Sequence, residues 1–228
     1  MVGPEWEAFL QLLLRNGGLE SSKVMEDVQR FIDGQRPAGD GPPEANGGFF
    51  GSYQDLSKIE EWMYTMGKDY PDIVSISQIA TSFEKRPLHM MKVSAIDGRR
   101  PDTAKPAFVI LGGVHAREWL SPATVMYIAN ELVVGYQEDG ETKELVDKLD
   151  WYIVPVTNVD GYHFTWESMS SRLWRKTRSY YDFNECRGAD PNRNWAYHWG
   201  GLCVYEQSTN KHANKHLRKQ VCKQGVDM

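Results

Sequence analysis

His115-Ala-Arg-Glu118 pairs a neutral imidazole with a carboxylate three residues on, and these are two of the three protein side chains that a catalytic zinc uses. The tetrapeptide lies between an apolar run, Ala107–Leu111, and a helical pattern that opens at Ser121-Pro122. Ser121 is a favourable N-cap residue and Pro122 suits the first helical position, so the helix is predicted to begin after Glu118. His115 and Glu118 then sit on a strand-to-helix loop, where α/β sheets place their ligands. Spacing alone leaves a second reading open, in which both side chains are simply solvated on a loop.

Two further segments carry chemistry. Arg172–Arg178 (RLWRKTR) brings several guanidinium groups together, and Ala189–Trp195 (ADPNRNW) sets Asn192 and Arg193 in a turn stiffened by Pro191 and Trp195. Arginine grips carboxylates with two parallel hydrogen bonds and stabilises a developing oxyanion, tasks that lysine performs less well. The plainer reading of such a cluster is a solvated basic face.

These residues need a scaffold, and the pattern supplies one. Trp6, Phe9, Leu10, Leu13 and Leu14 recur at helical spacing before Asn16-Gly-Gly, Ser22–Met25 reads as a short strand, and Asp27–Asp33 as a short amphipathic helix. Residues 37–49 are rich in Pro and Gly and read as a linker. A helix is expected over Asp55–Met66 with Leu56, Ile59 and Met63 inward, followed by strands at Ile73–Ile79, Leu88–Val93 and Ala107–Leu111. A second long helix, Pro122–Gly135, carries the stripe Val125, Ile128, Ala129, Leu132 and Val133. A helix over Glu141–Leu149 and a strand over Trp151–Val156 complete an α/β pattern with a mixed, mostly parallel sheet flanked by helices.

Composition sets outer bounds. The 228 residues suffice for a substantial core, and 41% hydrophobic with 25% charged residues is ordinary for a globular chain. A formal net charge of -5 gives no footprint for nucleic acid or an anionic membrane, and no apolar run is long enough to span a bilayer. Leu10–Leu14, interrupted by Gln11, is too short for a signal peptide. Three cysteines, Cys186, Cys203 and Cys222, leave one unpaired whatever the pairing.

Four segments in order, GGVHAREWLSPATV, NVDGYHFTWE, RLWRKTRS and DPNRNW, resemble the zinc carboxypeptidases of the pancreatic, digestive A/B type, over about residues 50–201. VMEDVQRFID resembles the end of that family's activation segment. The resemblance implies a partial carboxypeptidase-like fold over residues 50–202, a remnant of an α+β activation segment over 1–36, and an unassigned tail over 203–228. It implies Zn2+ as cofactor, with His115 and Glu118 as ligands and Asp190 orienting the imidazole. Arg175 matches the arginine that polarises the scissile carbonyl and steadies the oxyanion. Asn192 and Arg193 match the pair gripping the substrate's terminal carboxylate, and Arg117 matches a further substrate-site residue. Cys186 matches a half-cystine whose usual partner is not evident, which makes Cys203 a doubtful one.

The implied function is zinc-dependent removal of C-terminal amino acids from peptides or proteins bearing a free terminal carboxylate, by a secreted, zymogen-type, monomeric enzyme. The expected context of the third zinc ligand, the substrate-capping tyrosine and the general-base glutamate is not found after Gly201. His212 and His216 read as solvated tail residues. The expectation is therefore little or no activity from this chain alone. The alternatives are a non-catalytic module that binds peptide C-termini and a related zinc hydrolase acting on modified amino acids or cell-wall peptides.

Overall fold

The computed structural model describes residues 4–22, 24–25, 27–35, 48–95, 105–180 and 187–196. Residues 36–47, which hold most of the expected 37–49 linker, all three cysteines, His198, His212, His216 and the tail from 203 onward lie outside the described residues.

Helices α1 (Pro4–Asn16) and α2 (Val28–Asp33) come first, followed by a 3-10 turn at Phe49–Gly51 and helix α3 (Leu56–Asp69). Strands β1 (Val74–Thr81), β2 (Pro87–Val93) and β3 (Ala107–Leu111) precede helices α4 (Leu120–Glu138) and α5 (Gly140–Lys148). Strand β4 (Asp150–Val154) and helix α6 (Val159–Glu167) follow, and the described chain closes with a 3-10 turn at Pro191–Arg193.

The four strands form one sheet in the order β1-β2-β4-β3. It is mixed, as expected, but the parallel majority does not appear among the described strands. β1–β2 and β2–β4 are antiparallel, and only β3–β4 is parallel. The reason is local: Ser82–Arg86 turns β1 directly back into β2, with Lys85 at φ 69°, and a short hairpin can only join antiparallel strands. β3 and β4 are parallel because α4 and α5 supply the long crossover between them.

The core follows the sequence stripes. Leu56, Ile59, Met63 and Met66 turn one face of α3 inward, and Val125, Met126, Ala129, Leu132 and Val133 do the same for α4. They meet Met91, Val93, Trp151 and Ile153 from the centre of the sheet. Asp55 caps α3 by accepting the Lys58 N–H at 3.0 Å.

Two expectations fail, and two features were not anticipated, each for an identifiable reason. No strand forms over the described residues of 22–25, where Val24 is 95% exposed. α1 is helical as expected, yet Trp6, Phe9, Leu10 and Leu13 on its apolar face are exposed and only Leu14 is half-buried, so the pattern gave the helix with little burial. Ser121 does not cap α4, which begins earlier at Leu120. Its hydroxyl instead accepts the Gly113 N–H at 3.1 Å, a partner across the loop that displaces the capping role. α6, not anticipated, is capped by Asn158, whose side chain accepts the Gly161 N–H at 3.0 Å. No helix among the described residues is long and apolar enough to cross a membrane.

Candidate metal centre

The parallel pairing of β3 with β4 does not stop at the strand ends. The Gly112 N–H reaches the Val154 carbonyl at 2.8 Å, the Thr157 N–H the Gly112 carbonyl at 2.9 Å, and the Asn158 N–H the Gly113 carbonyl at 3.0 Å. The two chains approach so closely that a Cβ on residue 112 would stand 2.5 Å from the Pro155 carbonyl oxygen. Glycine is therefore required there, and it lets the loop after β3 lie against the loop after β4. His115 emerges from this seam at the carboxyl end of the strands, where open sheets bind ligands.

A third segment closes the site. The Ala116 N–H donates to the Arg175 carbonyl at 3.1 Å, anchoring the His115 loop to Arg175. The Thr177 N–H donates to the Ala189 carbonyl at 3.0 Å and the Gly188 N–H to the Ser179 carbonyl at 2.7 Å, so Arg175 and Asp190 ride on adjacent arms. Gly188 has φ 76°, and a Cβ there would fall 1.9 Å from the Thr177 oxygen. Asn158 ties the whole together: its amide donates to the Lys176 carbonyl at 3.0 Å and to the Val114 carbonyl at 3.4 Å while its oxygen caps α6.

The result is a compact polar cluster. The His115 Nδ1 lies 2.9 Å from Glu118 Oε1, and its Nε2 lies 3.1 Å from Asp190 Oδ1. The Arg175 Nε donates to Asp190 Oδ2 at 3.0 Å, and its Nη1 donates to Glu118 Oε1 at 3.3 Å. His115 and Asp190 are buried, Arg175 is half-buried, and Glu118 is open to solvent. Burial works against the charge of Asp190. The hydrogen bonds from Arg175, from the Asn192 N–H and from His115, together with the Arg175 charge, outweigh it and hold the carboxyl below the usual carboxylate range. Asp190 accepts on the Nε2 side of the imidazole, so with a metal bound Nε2 would carry the proton and Nδ1, on the Glu118 side, would offer its lone pair.

That donor set fits a metal. Two ligands of a tetrahedral zinc at about 2.0–2.1 Å stand roughly 3.3 Å apart. The His115 Nδ1 and Glu118 Oε1 need separate by only a few tenths of an ångström from their 2.9 Å to reach that spacing. Among the described residues no group of three His, Cys, Asp or Glu side chains is arranged to hold a metal ion, so His115 and Glu118 are a pair rather than a complete protein set.

Of the residues singled out from the sequence, His115, Glu118, Arg175 and Asp190 come together in direct contact. Asn192 and Arg193 lie on the 3-10 turn just beyond Asp190, both with exposed side chains. The Asn192 N–H donates to Asp190 Oδ1 at 2.9 Å, which couples that turn to the cluster, while the Arg193 Nη1 donates to the Asn192 carbonyl at 3.0 Å. Arg117 contributes its backbone carbonyl, which accepts from Arg172 at 2.9 Å. Three supporting residues had no role assigned from sequence: Asn158, Arg172 and Trp119. All three lie in segments quoted for the family resemblance, but nothing in the sequence separated them from their neighbours there.

The model of the zinc carboxypeptidase family matches residues 59–220. The chain is 40% identical to carboxypeptidase B of Rattus norvegicus over 198 residues, which are 87% of this chain and 45% of that protein. It is 37% identical to carboxypeptidase A4 of Mus musculus over 191 residues, 82% of this chain and 44% of the relative. Among solved structures it resembles thrombin activatable fibrinolysis inhibitor, with a TM-score of 0.76 and 35% identity over 87% of this chain and 48% of that one. Carboxypeptidase A from Helicoverpa armigera aligns with a TM-score of 0.69 and 25% identity over 88% of this chain and 49% of that one. The chain thus spans a little under half the length of the curated relatives it matches. By the extent of the family match, and by likeness to relatives of both the A and B types, this chain belongs to the zinc carboxypeptidase family.

Proposed function

We propose that this site serves zinc-dependent removal of C-terminal amino acids from peptides and proteins. The observation that carries the reading is the placement of one imidazole between two carboxylates, Glu118 and Asp190, with Arg175 bonded to both. His115 through Nδ1 and Glu118 through Oε1 would hold the zinc, and Asp190 would hold His115 in the required tautomer. The zinc supplies Lewis acidity toward the scissile carbonyl. The Arg175 guanidinium lies within reach of the Glu118 carboxylate, so it also lies next to any carbonyl brought to the metal. There it stabilises charge developing on oxygen. Asn192 and Arg193 would grip the substrate's terminal carboxylate, which restricts cutting to a chain end, and Arg117 would contact the substrate elsewhere. In this reading residues 1–36 act as an activation segment, and the protein works outside the cell as a monomer.

One alternative is a module that binds peptide C-termini without cutting them, for which Asn192 and Arg193 stand exposed on the turn beside Asp190. A single experiment separates the two. A chromogenic peptide with a free C-terminus is incubated with the chain with and without Zn2+, and both binding and release of the terminal residue are followed. Zinc-dependent release that is lost in Arg175→Ala supports hydrolysis. Zinc-independent binding, lost in Arg193→Ala and without release, supports the module. Neither release nor binding refutes the reading of this site.

A further inference from the structure

Arg172 is 5% exposed, and its guanidinium stands where three segments meet. Nη1 donates to the Arg117 carbonyl at 2.9 Å, and Nε donates to the Gln35 side-chain oxygen at 3.1 Å. Its Cζ lies 3.6 Å from the centroid of the Trp119 ring. Trp166 stacks on the same ring at 4.0 Å and 5°. Two planar groups this close to one ring must occupy opposite faces, so Trp119 is held in a sandwich. Its indole N–H is fixed as well, donating at 2.9 Å to the fully buried Thr165 hydroxyl.

These contacts bracket Glu118. Arg172 holds the carbonyl of the residue before it and the ring of the residue after it. The Arg117–Glu118 peptide plane, from which the Glu118 side chain departs, is thereby fixed on both flanks. A guanidinium can do this because its donors radiate in one plane while its face remains free to stack. An ammonium carries the same charge but has neither the plane nor the divergent donors. The remaining edge of the fork is taken by Gln35, directly after α2, so the N-terminal segment and the loop carrying Glu118 share one side chain.

We propose that Arg172 is a positioning residue for Glu118, and that Gln35 couples the N-terminal segment to that loop through it. The inference rests on reading His115 and Glu118 as zinc ligands. Ordering of residues 28–35 against Arg172 then slows opening of the loop that carries Glu118, and detaching that segment quickens it.

The test uses the full chain in four forms: wild type, Arg172→Lys, Gln35→Ala and His115→Ala. Zinc affinity is measured by competition with a chromophoric chelator, at a temperature where near-ultraviolet circular dichroism shows each form folded. Hydrogen exchange is followed in metal-free protein over residues 28–35 and 115–121. Arg172→Lys should weaken zinc binding about tenfold or more, the scale on which partners behind a ligand act. It should also speed exchange in both segments. Gln35→Ala leaves the Arg117 and Trp119 contacts in place and removes no ligand. It should still speed exchange over 115–121, which a merely structural Gln35 would not do. Zinc affinity of Arg172→Lys within twofold of wild type overturns the positioning role. Faster exchange confined to 28–35 in Gln35→Ala overturns the coupling. If His115→Ala binds zinc as wild type does, the ligand reading itself falls and takes the positioning of a ligand with it, whatever the exchange data show. Should Arg172→Lys fail to fold, Arg172→Gln is read for zinc affinity in its place, an affinity within twofold of wild type again overturning the positioning role, and Gln35→Ala still decides the coupling from exchange over 115–121.

Discussion

Replacing Asn158 with aspartate separates two tasks that one buried side chain performs. Its oxygen caps α6, and its amide donates to carbonyls on the two loops that bear His115 and Arg175. Aspartate is as good an N-cap as asparagine, so if capping were the whole role the change would be nearly neutral. The carboxylate, however, has no N–H to give. It leaves the Lys176 carbonyl without the bond at 3.0 Å and sets a negative oxygen against it at a position only 7% exposed. Stranding one buried carbonyl costs about 1–3 kcal/mol, and the unpaired buried charge adds to this. We expect Asn158→Asp to lose about 3 kcal/mol or more. Asn158→Ala gives up a cap of about 1 kcal/mol as well as the bridge, for a total of about 2–4 kcal/mol. Urea unfolding followed by tryptophan fluorescence reads both. With a slope of about 1–3 kcal/mol/M, a 3 kcal/mol loss moves the midpoint by about 1 M or more. An aspartate variant within about 0.5 kcal/mol of wild type, alongside a destabilised alanine variant, would refute the bridge and leave only the cap.

Gly188→Ala forces a Cβ into left-handed backbone, 1.9 Å from the Thr177 oxygen. We expect a loss of more than about 2 kcal/mol in thermal unfolding, accompanied by weaker zinc binding because the Asp190 arm must shift. Asp160 is buried and accepts from the Ser82 hydroxyl at 2.6 Å, the Glu84 N–H at 2.9 Å and the Arg86 Nη1 at 2.9 Å. Asp160→Ala should cost about 3–5 kcal/mol and speed trypsin cleavage of the β1–β2 turn at the Lys85–Arg86 bond relative to wild type. Burial opposes the charge of Asp150, but hydrogen bonds from Lys92 and Ser94 and the charges of Lys92 and Lys105 hold its carboxyl below the usual range. Its contribution is thus complete above the unfolded value, near about pH 4, and disappears as pH falls through the lower folded value. Asp150→Asn should flatten the acid limb of stability against pH, with little change in slope above about pH 5.

Periodic burial was legible in the sequence because it depends only on neighbours three or four residues away. The stripes of α3 and α4 and the bounds of β3 stand where the apolar spacing puts them. Where a side chain had two possible partners, the sequence could not rank them. Ser121 looks like a cap and instead takes the Gly113 N–H, because the seam between β3 and β4 brings that donor to it. α1 shows the opposite failure: its amphipathic pattern announces a helix, while Trp6 and Phe9 remain exposed because the pattern names no covering surface. In the site, His115 and Glu118 are three residues apart and visible as a pair. Asp190 is 75 residues from His115, and only the resemblance linked them. Arg172 and Asn158 were illegible for a further reason. Their partners are backbone carbonyls 55 and 18 residues away, and a carbonyl has no letter in the sequence.

Asp190 serves three neighbours with two oxygens: Oδ1 takes His115 and the Asn192 N–H, and Oδ2 takes Arg175. On the proposed reading of the site, metal affinity, oxyanion support and the turn bearing Asn192 and Arg193 would all be adjusted through this one group. Substitutions at these positions should show epistasis: the second change in any pair costs less than it would alone, because the first has already released the shared carboxylate. If the proposed reading holds, selection acting on substrate grip would also move metal retention, and the two traits would not drift independently.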